Sequence, residues 1–178
     1  MVANANGMTK ISIFWLMTLL LTAVLLSGCR KFEEYPPEPE IGYNNYILLI
    51  NPETNISEKG LLSITYRDGD GDIGLEQSDT LFPFQRNGEF YYNLRVRYFE
   101  QQNGILVELP YNFSGRIPPL IPKDQKKAIK GIIEYEMDIY DPTSSYDTIQ
   151  FQVQLIDRAL NISNEVSTPL IVRMVPRP

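Results

Sequence analysis

The sequence predicts an all-β domain, an antiparallel sandwich of about seven strands, and three observations predict it. Apolar and polar residues alternate one for one along much of the chain after Tyr46. Turn dipeptides and prolines separate the alternating stretches. The one segment with any helical character, Lys123 to Lys130, has too few apolar residues to dock. A period of two is what a half-buried strand with one wet face requires. A closed barrel is the alternative architecture, because short strands are easily miscounted.

The elements follow in order. Tyr46 to Ile50 is a first strand candidate. Leu62, Ile64 and Tyr66 then alternate with Ser63, Thr65 and Arg67. Leu94, Val96 and Tyr98 alternate with Arg95 and Arg97, and Asn103-Gly104 joins that strand to Ile105–Leu109 as a hairpin. Pro118, Pro119 and Pro122 exclude a central strand from their segment. Ile133, Tyr135, Met137 and Ile139 alternate with Glu134, Glu136 and Asp138. Asp141-Pro142 marks the next reversal, as Asn87-Gly88 does earlier. Ile149, Phe151, Val153 and Leu155 alternate with three glutamines, and Leu170 to Val175 closes the set. Glutamine, glutamate and arginine on the wet faces guard edge strands against pairing.

Composition narrows the chemistry. The chain has 178 residues, one Cys, no His and a net charge of −6. That length suits one domain with short extras. No intrachain disulfide framework, Cys/His zinc site or histidine-based catalysis can be built. The acidic balance argues against a nucleic-acid partner.

Residues 1–28 stand apart from the fold. Lys10 precedes an apolar run, Ile11 to Leu26, which is short for a membrane span and ends in Leu26-Ser27-Gly28-Cys29. This resembles the lipobox of bacterial lipoproteins, which implies cleavage before Cys29 and lipidation of its thiol. An uncleaved anchor with an incidental Cys is the alternative. With residues 1–28 removed, 15 basic residues face 22 acidic ones, a net charge of −7, and Trp15, the only Trp, is gone. Residues 29–45 then read as a lipidated Cys with an acidic, Pro-rich tether, and residues 46–178 as the sandwich. The anchor is a membrane lipid. The expected location is the outer membrane, facing the cell surface or the periplasm.

The densest chemical feature is Asp68-Gly69-Asp70-Gly71-Asp72-Ile73-Gly74. Three carboxylates at alternate positions let a loop turn its oxygens onto one point, as a hard cation requires; Ca²⁺ takes six to eight oxygens. The match to an EF-hand is partial, since Ile73 stands where that loop needs Gly and Asp79 where it needs Glu. Asp68, Asp70, Asp72 and Asp79 are therefore candidate calcium ligands. An ordinary solvated Asp-Gly turn accounts for the same residues. Further on, Asp157 and Asn161 are expected to pin a turn through side-chain bonds to backbone.

Taken together, the lipobox, Tyr66-Arg67-Asp68-Gly69-Asp70-Gly71-Asp72-Ile73-Gly74-Leu75 and Asp157-Arg158-Ala159-Leu160-Asn161-Ile162-Ser163 resemble a family of uncharacterised Bacteroidota lipoproteins. The last segment is similar to the F–G turn of immunoglobulin-like and fibronectin type III-like domains. The resemblance implies an immunoglobulin-like sandwich in the cell envelope and assigns no activity. In that context Asp79-Thr80-Leu81 and Asp147-Thr148-Ile149 match the Bacteroidota O-glycosylation pattern, so Thr80 and Thr148 are candidate glycosylation sites, Thr80 the better.

Three functions compete. The first is a non-catalytic envelope domain that meets a protein partner. The second is a glycan-binding module using Phe82, Phe84, Phe90, Tyr91 and Tyr92. The third is a glycosidase using Glu134, Glu136 and Asp138, which an ordinary wet strand face explains as well. A catalytic role is the least expected of the three.

Overall fold

In the computed structural model the described residues are 34–175, with Trp15 and Met17. The lipobox and Cys29 lie outside them. The chain divides into two units, 1–33 and 34–178, and the second holds every strand of the described residues.

Eight strands form two antiparallel sheets, and residues 34–175 contain no helix. One sheet has the order β1-β2-β5, from Glu40–Asn51, Ile56–Asp68 and Ile129–Asp138. The other has the order β4-β3-β6-β7, from Ile105–Leu109, Leu94–Gln102, Thr148–Leu155 and Val166–Ser167. The last strand, β8 (Ile171–Val172), also pairs with β6. The partition into 1-2-5 and 4-3-6-7 is that of an immunoglobulin-like sandwich.

The core lies between the sheets, where the alternation puts it. On β6, Ile149, Phe151, Val153 and Leu155 are at most 1 % exposed, while the glutamines between them are half-buried. Leu62 and Ile64 from β2, Val96 and Tyr98 from β3, and Ile133 and Met137 from β5 complete it. Tyr46, Tyr98 and Phe113 pack their rings on Phe151. The β3–β4 hairpin turns on Asn103 (φ 53°) and Gly104 (φ 83°), the left-handed pair a two-residue turn needs.

The structure departs from the expected elements in two places. The first strand starts at Glu40, so residues 40–45 belong to the sandwich and not to the tether. Ile41 is 5 % exposed in the core, and Asn164 both accepts from its N–H and donates to its carbonyl. The closing strand is broken into β7 and β8 at Thr168-Pro169, because Pro cannot donate to the ladder. Thr168 bridges the break: its N–H donates to the Phe151 carbonyl, and its hydroxyl accepts from the Phe151 N–H. Lys123–Lys130 forms no helix and feeds into β5 at Ile129.

Strand directions give the sandwich two distinct ends. Asp68 pairs with Ile129, and Leu94 pairs with Leu155, at one end. Lys59 pairs with Asp138, and Glu100 pairs with Ile149, at the other.

Candidate functional site

The Asp-Gly motif begins on the last residue of β2. Asp68 is fully buried, and its Oδ2 accepts from the N–H groups of Gly71 at 2.7 Å and Asp72 at 3.1 Å. That Asx-type curl needs a left-handed residue, which Gly71 supplies at φ 78°. A Cβ there would sit 2.5 Å from the Lys127 carbonyl. The EF-hand comparison placed the required Gly at Ile73, but Ile73 is a core residue, 1 % exposed.

The loop is then stitched to the turn after β6. Ile73 bridges Asp157, the Arg158 N–H donates to the Asp72 carbonyl at 3.3 Å, and the Ala159 N–H donates to Asp72 Oδ2 at 3.1 Å. Asp157 is 1 % exposed and accepts from the Asn161 N–H at 2.7 Å and side-chain amide at 2.8 Å, the expected turn-pinning role. The same carboxylate faces the acidic loop. One oxygen each from Asp68, Asp72 and Asp157 lies within 4.8 Å of the other two.

This cluster is short of positive charge. Asp68 Oδ1, Asp70 Oδ1 and Asp72 Oδ1 are buried and have no hydrogen-bond partner. Burial, with the Asp70 charge next, pushes Asp68 up to about 6. Burial, then the charges of Asp157, Asp70 and Asp68, pushes Asp72 up to about 7. Burial raises Asp157 as well, against the bonds from Asn161. Such a site holds either protons or a cation. Oxygens within 4.8 Å of one another fit a cation with ligands at ~2.3–2.6 Å. Asp68, Asp72 and Asp157, with Asp70 beside them, are the residues that could hold it.

Asp79 does not join them. Its carboxylate accepts from Arg158 and lies 3.5 Å from Lys123, and the Arg158 bond holds it down to about 2. The candidate calcium set therefore loses Asp79 and gains Asp157. Asp157, read from the sequence only as a turn pin, joins them because β2 and β6 run the same way, so acids at or just past their ends meet.

The other candidate residues are dispersed. Thr80 is exposed, whereas Thr148 is half-buried in β6 with its hydroxyl donating to Asp147. Among the loop aromatics, Phe82 is 86 % exposed, but Phe84, Phe90 and Tyr91 carry the guanidiniums of Arg158, Arg95 and Arg116. Tyr91 and Tyr92 meet edge to face, with centroids 4.9 Å apart. Glu134, Glu136 and Asp138 are exposed on β5, and Lys59 pairs with Glu136 and Asp138.

Comparison with family models, curated proteins and solved structures gives no match.

Proposed function

We propose that the chain is a non-catalytic envelope lipoprotein, anchored through Cys29, whose sandwich serves as a binding or assembly domain with a calcium-held loop. The observation that supports the loop reading is the three buried, unpartnered carboxylate oxygens facing Asp157. An unpartnered buried acceptor costs about 1–3 kcal/mol, and more for a charged group. A cation offsets that cost where Ca²⁺ is abundant, outside the cytoplasm, at ~10⁻⁴–10⁻³ M affinity. The lipobox supports the same compartment. The joint would fix four segments at one end: the end of β2, the acidic loop, the turn after β6, and the lead-in to β5 through the Lys127 N–H on the Asp70 carbonyl. It also lies beside the tether exit, since Gly69 packs on the carbonyls of Tyr35 and Pro36.

Thermal melting in EDTA and in millimolar Ca²⁺ tests the loop. At ten times the dissociation constant, Ca²⁺ adds about 1.4 kcal/mol, or roughly 5 °C. Equal melting temperatures and no heat of binding would refute it. Lipidation is tested separately: Cys29→Ala should abolish processing and acylation, and a fully processed, membrane-bound mutant would refute the anchor. Exposure of Thr80 favours it over Thr148 as a glycosylation acceptor. A glycan-binding module of a surface uptake system is the second reading, favoured by a tyrosine-lined cleft at the far end of the sandwich.

A further inference from the structure

The end of the sandwich away from the aspartates holds a cleft of about 300 Å³. Tyr98, Tyr111, Phe113 and Tyr140 line it. Tyr98 touches Tyr111 and Phe113 ring to ring, with centroids 5.8 and 5.2 Å apart. Tyr111 and Tyr140 are about half exposed, so each offers a ring face to a visitor. The Asp141 carboxylate beside Tyr111 raises its hydroxyl pKa.

Arg173 also lines this cleft, at 3 % exposure. Its Nη2 donates to Glu100 Oε1 at 2.7 Å and to the Tyr146 carbonyl at 3.2 Å, and its Nη1 donates to the Ile139 carbonyl at 2.8 Å. Tyr98 donates to the same Glu100 oxygen at 2.8 Å, and Ser144 donates to the other at 3.0 Å. Every group of the network is paired except Arg173 Nε, which is buried without a partner. Apolar residues of like volume would hold the closing strand at least as well as a buried ion pair. An unmade N–H bond adds to its cost. Both costs have a reason if the network presents one donor to a ligand.

The surroundings select the ligand. Glu100 offsets the Arg173 charge, and Asp141 adds negative charge at the cleft, while Lys59 partly offsets Asp138. An anionic ligand is repelled. A neutral ring with apolar C–H faces and polar edges fits, because aromatic faces carry negative potential that attracts C–H groups. The volume is at the low end for ligand pockets, enough for one ring.

We propose that the Tyr111–Tyr140 cleft, floored by Arg173, binds a single neutral sugar ring. This rests on the binding-domain reading but not on calcium. If the cleft fails its test while the Ca²⁺ response stands, the cleft alone is removed.

The experiment is calorimetric titration of the full chain, in a detergent without a sugar headgroup, with methyl glycosides of glucose, galactose, mannose and N-acetylglucosamine. At least one should bind with a dissociation constant near millimolar. Tyr140→Ala and Tyr111→Ala should each weaken it tenfold or more. Tyr140→Phe, which keeps the ring, should bind within about threefold of wild type. Phe82→Ala, on the distant loop, should bind like wild type, and methyl glucuronide should bind at least tenfold more weakly than methyl glucoside. Absence of heat with all four glycosides would overturn the proposal. So would unchanged affinity in both alanine variants, loss of binding in Phe82→Ala, or binding of tetramethylammonium in place of the sugars.

Discussion

The two ends of the sandwich bury charge in opposite ways. At one end Asp68, Asp72 and Asp157 converge with no cation among their hydrogen-bond partners, and Asp68, Asp70 and Asp72 each leave one buried oxygen unpaired. At the other, Glu100 is met by Arg173, Tyr98 and Ser144, and both its oxygens are used. The Glu100 network supplies its own counter-charge, so it needs no ion from solution. The aspartate cluster must take its counter-charge from solution, as protons or as a metal. One end is therefore a fixed brace, and the other is sensitive to what surrounds it.

The largest expected effect tests the brace. Arg173→Ala leaves Glu100 buried without a counter-charge, and should cost about 3–5 kcal/mol in denaturant unfolding. The double variant Arg173→Met with Glu100→Leu should recover most of that loss. If Arg173→Ala costs under about 1 kcal/mol, the pair is not a brace and the contrast fails.

A smaller effect, opposite in sign, belongs to the aspartates. In EDTA, Asp72→Asn removes one repelling charge and should raise the melting temperature at pH 8 by about 1–3 °C. In Ca²⁺ the same variant should lose most of the metal-induced shift. pH sharpens this further. Without metal, Asp68 and Asp72 titrate at about 6 and about 7 in the fold and near 3.9 when unfolded. The fold then binds more protons than the unfolded chain between those values. Their contribution is full below about pH 4 and is lost as pH rises through 6 and 7. The melting temperature in EDTA should fall from pH 5 to pH 8. Ca²⁺ binds the ionised form, so it should flatten or reverse that slope. A flat profile in EDTA would mean the carboxylates are not crowded.

The smallest effect separates Asp79 from the cluster. Asp79→Asn weakens its ion pair with Arg158 and should cost about 0.3 kcal/mol, roughly 1 °C. It should leave the Ca²⁺ shift intact, and loss of that shift would restore Asp79 as a ligand.

The strands were legible in the sequence because each is a local pattern. Ile149, Phe151, Val153 and Leu155 face inward whatever their partners are, since a strand side chain has only two faces. The Asn103-Gly104 hairpin was legible for the same reason: the left-handed pair is a property of those two residues. Elements that depend on remote partners read poorly. Residues 40–45 looked like tether because Pro36, Pro37 and Pro39 precede them, yet Asn164, 123 positions from Ile41, pairs with that strand.

The same division runs through the chemistry. Sequence alone marked Asp68, Asp70 and Asp72 as candidates for a hard cation, because carboxylate spacing and glycine freedom are local. It also determined that histidine and thiol chemistry have no place in the sandwich. Only the tertiary structure decided that Asp157 joins Asp68 and Asp72 while Asp79 goes to Arg158. It alone put Arg173 beneath Tyr98, Tyr111 and Tyr140, residues spread across three-quarters of a hundred positions. Convergence of side chains depends on strand order and direction, and those follow from how two whole sheets bury their apolar faces together, not from any short run of residues.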